Sequence, residues 1–284
     1  MTARRHASIA MFVLACLLCG CAGSGVSLQE VRDFADASAR LGGYAELSTR
    51  FRDTYAREQA YLAPAADKLA RANDVKRRAA CDDFLNAQKA LVLYMQTLSL
   101  LAGEARYDLT PKLDELGAGL KANADSGLEQ RHALAYTGLT RLLTRVIASG
   151  YQGSSVASMV RDGDAEVQTL LDGMIALTRY YTKTHENEQR TVLGIFDVEI
   201  PFSSRPQDRM LATLAKVHYQ NKASEYKLLD KRYGLALQGL NKVAQGQQAL
   251  REHVGQLSGQ ELRQALQAYG RDLRLIYSGL AGTP

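Results

Sequence analysis

The residues best suited to hold a metal lie in the run His185-Glu186-Asn187-Glu188. A histidine and a glutamate three positions apart share one face of a helix, where both could bind one cation. His218 and Glu225, seven positions apart, could complete such a site from a second helix. Position 189, however, is Gln where a zinc-protease motif requires a second His. The sequence therefore predicts no resident metal or other cofactor, and four side chains stay weak metal-ligand candidates: His185, Glu188, His218 and Glu225.

No arrangement for nucleophilic or phosphate chemistry appears in the sequence. The run 150–155 reads Gly-Tyr-Gln-Gly-Ser-Ser, which differs from the Gly-x-Ser-x-Gly elbow and lacks its strand–turn–helix context. A Gly-rich phosphate loop is missing too, and the five His residues are scattered. The sequence therefore predicts a protein that is not an enzyme.

Three tyrosines recur every seven residues at Tyr219, Tyr226 and Tyr233. One interpretation is a surface on which sugars stack, and the other is a packing seam whose hydroxyl groups reach its wet edge. We favour the seam, because Leu240 and Val243 continue the same pattern.

The segment 195–202 carries a different pattern. Phe196, Val198, Ile200 and Phe202 alternate with polar or proline positions, which is the period of a β-strand. The sequence offers no clear partner strand. Two interpretations stay open: an extended linker that covers the end of the fold, or an exposed edge or apolar knob that a partner protein binds by strand addition or pocket insertion.

The rest of the chain has helical periodicity. Its composition, 46% apolar and 23% charged, is that of a globular protein. Capping boxes at 27–30, 126–129 and 258–261 predict three helix starts. Together with the proline and glycine positions, the apolar spacing predicts helices over about 27–62, 65–105, 111–123, 127–149, 164–194, 206–255 and 259–279.

The seam over 212–257 holds a seven-residue repeat, which is typical of helices that pack lengthwise at a shallow angle. We therefore predict an all-α fold. It is an elongated antiparallel bundle of about six to seven helices with long heptad-like seams, forming a single domain over 27–284. The seam could close within one chain or between two, so a homo-oligomer through 212–257 is possible.

The first residues have the pattern of a targeting signal. Arg4 and Arg5 precede an apolar run over 7–18, which ends in Leu18-Cys19-Gly20-Cys21. This ending resembles the lipobox of bacterial lipoproteins. The resemblance implies a signal peptide over 1–20 that is cleaved between Gly20 and Cys21. It also implies a covalent diacylglycerol and an N-acyl chain on Cys21, and a lipidated tether over 21–26.

The same resemblance predicts where the protein lies. Ala22 follows the lipid-bearing cysteine, whereas Asp at that position favours retention in the inner membrane. We therefore expect attachment to the bilayer at the periplasmic face of the outer membrane, with the inner membrane less expected.

The formal net charge of +5 is small for 284 residues, so we expect no nucleic-acid partner. Cys81 lies in an apolar helical stripe and is interpreted as a buried hydrophobe.

The sequence thus favours a lipid-anchored, periplasm-facing helical protein of the bacterial cell envelope. We expect a non-enzymatic scaffold or protein-interaction lipoprotein whose envelope partner is unknown. An immunity-type lipoprotein, which blocks a toxin or lytic effector, is a narrower version. The alternative is a ligand- or metal-binding helical bundle, which would require polar groups to converge inside the bundle.

Overall fold

The computed structural model describes residues 28–103, 107–117, 119–202 and 205–281. Gly20, Cys21 and the tether lie outside the described residues. Within them the only strand-like pairing is one isolated bridge between Asn123 and Leu128, and the predicted all-α bundle is confirmed. The helices are α1 (Gln29–Ser38), α2 (Gly42–Arg52), α3 (Thr54–Glu58), α4 (Pro64–Ala102), α5 (Thr110–Asp114), α6 (Gln130–Ala148), α7 (Val156–Phe202), α8 (Arg209–Glu252) and α9 (Gln260–Leu280).

Helices α7 and α8 form a long antiparallel hairpin that dominates the shape of the bundle. Helix α7 has 47 residues, which corresponds to about 70 Å at 1.5 Å per residue. Contacts run along the hairpin: Gln168 Nε2 donates to the Ala244 carbonyl oxygen at 3.0 Å, and the ring of Phe196 lies 6.5 Å from that of Tyr219. The lengthwise packing expected from the heptad seam is therefore present.

Most of that seam closes within the chain. From Tyr226 to Leu250 the seam residues of α8 are buried, and they include Gln247, whose amide lies 3.1 Å from the hydroxyl of Tyr94 and donates to it. Gln247 is thus a polar residue in the seam whose amide nitrogen finds a partner on α4. The beginning of α8 differs, because Ala212 is only half-buried.

Aromatic side chains join four helices at the centre of the bundle. The ring of Phe51 on α2 stacks on that of Tyr181 on α7, with 3.9 Å between ring centres. Phe84 on α4 lies 5.4 Å from the same tyrosine ring. The Tyr44 hydroxyl donates to the Ala236 carbonyl oxygen of α8 at 2.6 Å. Stacked and tilted rings at these distances add to the stabilisation from apolar burial.

The N-terminal part differs from the single helix predicted over 27–62. The chain instead forms α1, α2, α3 and a 3₁₀ turn at Gln59–Tyr61. The bend before α2 brings Gly43 against the end of α9, where a Cβ on Gly43 would lie only 2.9 Å from Leu280 Cβ. Glycine permits this close approach because it has no side chain.

Three further helix boundaries differ from the predicted ones. The helix predicted over 111–123 stops at Asp114, and Gly127 then takes a φ of 76°, a left-handed value that a regular helix cannot contain. Helix α6 therefore begins after the predicted position, and its capping box pairs Glu129 with His132. Turns at 149–153 follow α6, and α7 begins at Val156, earlier than the predicted residue 164.

The segment 195–202 belongs to α7, so the predicted linker or strand there is wrong. Helical residues four positions apart share one side, and residues two apart lie on nearly opposite sides. The alternation therefore makes two pairs. Phe196 and Ile200 are half-buried, whereas Val198 and Phe202 are exposed.

The N-terminal helix lies at the opposite end of the bundle from the α7–α8 turn. Helix α1 packs on α9 and on the last part of α8, where Phe34 lies against Gly246 and Glu30 lies 3.4 Å from the amide of Gln267. Met210 near the α7–α8 turn and Gly246 are separated by about 54 Å along α8 at 1.5 Å per residue. A lipid anchor attached before α1 would therefore sit far from the turn.

Candidate interaction site at the end of the long hairpin

Large apolar side chains are exposed where α7 ends and α8 begins. We call this region, residues 193–202 and 205–217, the hairpin end. Its exposed large hydrophobic side chains are Ile195, Val198, Phe202, Met210, Leu211, Leu214 and Val217. None of the residues of this region belongs to the buried core cluster. Concentration of exposed apolar surface at one end of a molecule is typical of an interaction site.

The α7 part of the hairpin end presents one inner and one outer side. On the inner side, the ring of Phe196 lies 5.9 Å from that of Tyr61 and 5.3 Å from that of His218. On the outer side, Val198 is 59% exposed and Phe202 is 77% exposed. Of the four predicted partner-binding residues, the structure thus exposes these two and half-buries Phe196 and Ile200.

The α8 part was not predicted as a site. Met210 is 78% exposed and Leu214 is 60% exposed, and Val217 follows them on the same helix face. This face is turned away from the seam residues Ala212 and Tyr219, which are half-buried. The sequence does contain a signal for this face, namely a second apolar stripe on α8. This stripe is two residues out of phase with the buried seam, so it must point away from that seam.

The charges at the hairpin end are of both signs. Asp197 and Glu199 lie on α7, and Arg205, Arg209 and Lys216 lie near the start of α8. An anionic membrane surface attracts segments with a clear excess of Lys and Arg, which this end lacks. The mixed charge fits a protein surface better than a lipid headgroup layer.

The metal candidate Glu188 lies in a buried ion-pair network. Its carboxylate accepts two hydrogen bonds from the Arg57 guanidinium, at 2.7 and 2.9 Å. Arg50 Nη2 lies 3.4 Å away, and the Tyr226 hydroxyl donates at 3.2 Å. The side chain of Glu188 is 1% exposed. Its oxygens are therefore occupied by donors from α2, α3 and α8, and the network joins these helices to α7.

The other metal candidates have partners of their own, although Glu225 also lies 3.0 Å from Arg50, which is a neighbour of Glu188. His185 Nε2 lies 3.1 Å from Asp230, His218 lies 3.0 Å from the Tyr61 hydroxyl, and Glu225 accepts from Lys222 at 2.8 Å. Burial lowers the pKa of His185, and the nearby Asp230 carboxylate partly offsets this. Within the part of the chain that the structure describes, no group of three or more His, Cys, Asp or Glu side chains could hold a metal ion.

The tyrosine series forms a seam, as predicted, rather than a stacking surface. Tyr226 and Tyr233 are buried and Tyr219 is half-buried. Burial raises the pKa of Tyr233 to about 12.

Cys81 is buried as well, and burial raises the pKa of its thiol to about 11. A thiol that is enclosed and protonated in this way is a poor nucleophile.

Comparison with known proteins gives no relative: no family model, no curated protein and no solved structure matches the chain. Of the helices in the described ranges, none combines the length and the apolar character needed to cross a bilayer.

Proposed function

We propose that this chain is a lipid-anchored, periplasm-facing helical protein of the bacterial cell envelope that acts as a non-enzymatic scaffold for another envelope protein. The lipobox resemblance supports an anchor of covalent diacylglycerol and an N-acyl chain on Cys21. Several acyl chains on one residue hold a protein stably on a bilayer, where a single chain would not. Ala22 supports the outer membrane as the site of attachment.

The observation that carries the proposal is the apolar hairpin end at the opposite end of the bundle from α1. With the anchor before α1, the bundle would hold Val198 and Phe202 as much as about 50 Å from the lipid, given 1.5 Å per helical residue. An apolar surface in that position would be available to a partner protein. An immunity-type role, in which the partner is a toxin or lytic effector, is a special case of this function.

The ligand- or metal-binding alternative has weaker support. Polar groups do meet inside the bundle, but the carboxylate of Glu188 is taken up by Arg57 and Tyr226. A buried carboxylate that is already paired gives a ligand little to gain. The network supports a structural role, and the hairpin end supports an interaction role.

Thiol titration and intact mass test the anchor. Cleavage before Cys21 would remove Cys16 and Cys19, and the thioether would block Cys21 itself. We therefore expect one titratable thiol, Cys81, in the unfolded mature protein, and a mass larger than that of the polypeptide by the lipid. Four thiols and the mass of the uncleaved chain would contradict the anchor.

Photocrosslinking in the intact envelope tests the scaffold role. A photoreactive amino acid at Phe202 should yield a discrete adduct with another protein. The matched control is Leu275 on α9, which is 72% exposed but lies outside the hairpin end. A Val198→Asp substitution should remove the adduct formed at 202, because a carboxylate would then face the apolar contact. The proposal would be overturned if the photoreactive amino acid gave the same adducts at positions 202 and 275. It would also be overturned if position 202 gave no adduct.

A further inference from the structure

The outer face of α8 changes from covered to uncovered partway along the helix. Helix α9 packs on α8 where Leu235 faces Gly279 and where Lys242 lies 3.0 Å from Asp272. Helix α9 ends at Leu280, whereas α8 continues toward the hairpin end. Leu228 occupies the next position of the same face, seven residues before Leu235, and it is exposed. The uncovered face is thus continuous with the α8–α9 interface.

This uncovered face has the spacing of a coiled-coil seam. We call it the outer stripe; its residues are Met210, Leu214, Val217, Asn221, Ser224 and Leu228, all of them exposed. The steps between them alternate between four and three residues, so Leu214, Asn221 and Leu228 take the a positions and the others take the d positions. The stripe is about 27 Å long at 1.5 Å per residue.

We propose that the outer stripe binds the outer stripe of a second copy of this chain in a parallel two-fold pair. A single asparagine at an a position is a device that specifies register and oligomeric state in coiled coils. Asn221 holds this position at the middle of the stripe, where the two amides would meet across the two-fold axis. The copy would continue the role of α9, which covers the same face farther along α8.

The parallel direction rests on the proposed lipid anchor. Two chains anchored through Cys21 in one bilayer have their α1 ends on the same side, so their α8 helices run in the same direction. The opposite side of α8 is packed on α7, so the outer stripe is the apolar face of this part of α8 that a second copy can reach. The outer side of α7, with Val198 and Phe202, stays free for the envelope partner in such a dimer.

Disulfide trapping of the full-length protein in detergent tests both the pairing and its direction. In a parallel pair, Met210→Cys and Leu228→Cys should each form a disulfide-linked dimer with itself. Leu275→Cys and the unsubstituted protein are the controls, and they should stay uncrosslinked. Crosslinks that form only when the 210 and 228 variants are mixed would show an antiparallel pair and overturn the proposal.

A non-covalent measurement keeps the proposal independent of added thiols. We expect sedimentation equilibrium to give a dimer, and Leu214→Asp to raise its dissociation constant at least tenfold while the helical circular dichroism is unchanged. A monomer at all accessible concentrations would overturn the dimer. That result would leave the scaffold function standing if the adduct at Phe202 persists. Conversely, a dimer whose position 202 gives no adduct would reject the scaffold function. A dimer of a protein that carries no lipid would reject the anchor.

Discussion

Glu188 is the most deeply buried carboxylate among the described residues. It is enclosed between Arg57 and Arg50, and both arginines keep some access to solvent. Replacing it by Gln would leave the Arg57 guanidinium without its anion inside the bundle, whereas Arg50 would keep Glu225. We expect Glu188→Gln to lower the free energy of unfolding by about 3 kcal/mol, the low end for a broken buried pair. Chemical denaturation followed by circular dichroism measures this change.

Glu225 provides the matched control for that experiment. It pairs with the same Arg50 at 3.0 Å, but its side chain is 37% exposed and water can replace the lost interaction. Glu225→Gln should therefore cost less than about 1 kcal/mol. Equal losses from the two substitutions would show that the enclosure of Glu188 does not matter to the stability of the bundle.

His185 makes the stability of the fold depend on pH. Because burial lowers its pKa in the folded state, the unfolded chain takes up the proton first as the pH falls below about 6.5. Stability from this group is present above that pH and is lost as the pH falls toward the lower folded-state pKa. We expect His185→Gln to lose less stability between pH 7 and pH 5 than the parent protein.

The comparison between variants removes the contribution of the carboxylates, which titrate in the same range. His218→Gln serves as the control, because His218 is exposed and lies just outside the hairpin end. We expect this variant to change the slope of stability against pH less than His185→Gln does. If both histidine variants change the slope of stability against pH equally, the burial of His185 is not the cause.

At the scale of helices, substitutions at two glycines of α8 allow the effect of packing on stability to be measured apart from the effect of helix propensity. A Cβ on Gly246 would collide with the ring of Phe34 on α1, whereas a Cβ on Gly234 would meet nothing within 4 Å. Gly246→Ala should destabilise the protein by about 1–3 kcal/mol through overpacking. Gly234→Ala should stabilise it by about 0.5–1 kcal/mol, because alanine is the better helix former.

Thermal and chemical unfolding of these two variants give the answer directly. Both substitutions add one methyl group to the same helix, so their difference isolates the contact between α1 and α8. A stabilising Gly246→Ala would mean that α1 does not pack tightly on α8. The anchor end of the bundle would then be looser than the contact with Phe34 indicates.

The long helices were predictable because their apolar residues repeat at a period that only a helix places on one side. The error over 195–202 has a physical origin too. Alternation of Phe196, Val198, Ile200 and Phe202 fits a strand, but it equally fits a helix with apolar pairs on two opposite sides. Pro201 stands in the last turn of α7, so the backbone hydrogen bond that it cannot make lies at the end of the helix.

At the scale of the whole molecule, the sequence alone could not separate covered from uncovered seams. Leu228 and Leu235 are the same residue type and lie seven residues apart on one face of α8, yet Leu228 is exposed and Leu235 is half-buried against α9. The difference depends on where α9 stops, which is a property of the packed bundle. The α7 side of the hairpin end was thus partly predicted, and its α8 side was not.

The arrangement implies that folding and binding reside in different parts of the chain. The core cluster contains Tyr181 on α7 and Leu229 on α8, and none of the described residues between these two positions belongs to it. A shortened protein, with 195–217 replaced by a turn of about four residues, should therefore fold cooperatively. The largest half-buried side chain removed is Phe196, so the free energy of unfolding should fall by about 2 kcal/mol or less.

The same shortened protein should lose both interactions, because Val198, Phe202 and most of the outer stripe are gone. Circular dichroism, chemical denaturation and sedimentation equilibrium on one preparation can measure the separation. The full-length protein with Phe202→Asp and Leu214→Asp is the control, since it should match the shortened protein in binding while keeping the parent's stability. Failure of the shortened protein to fold would mean that the hairpin end stabilises the bundle, and its exposed apolar residues would then need a structural explanation instead of a functional one.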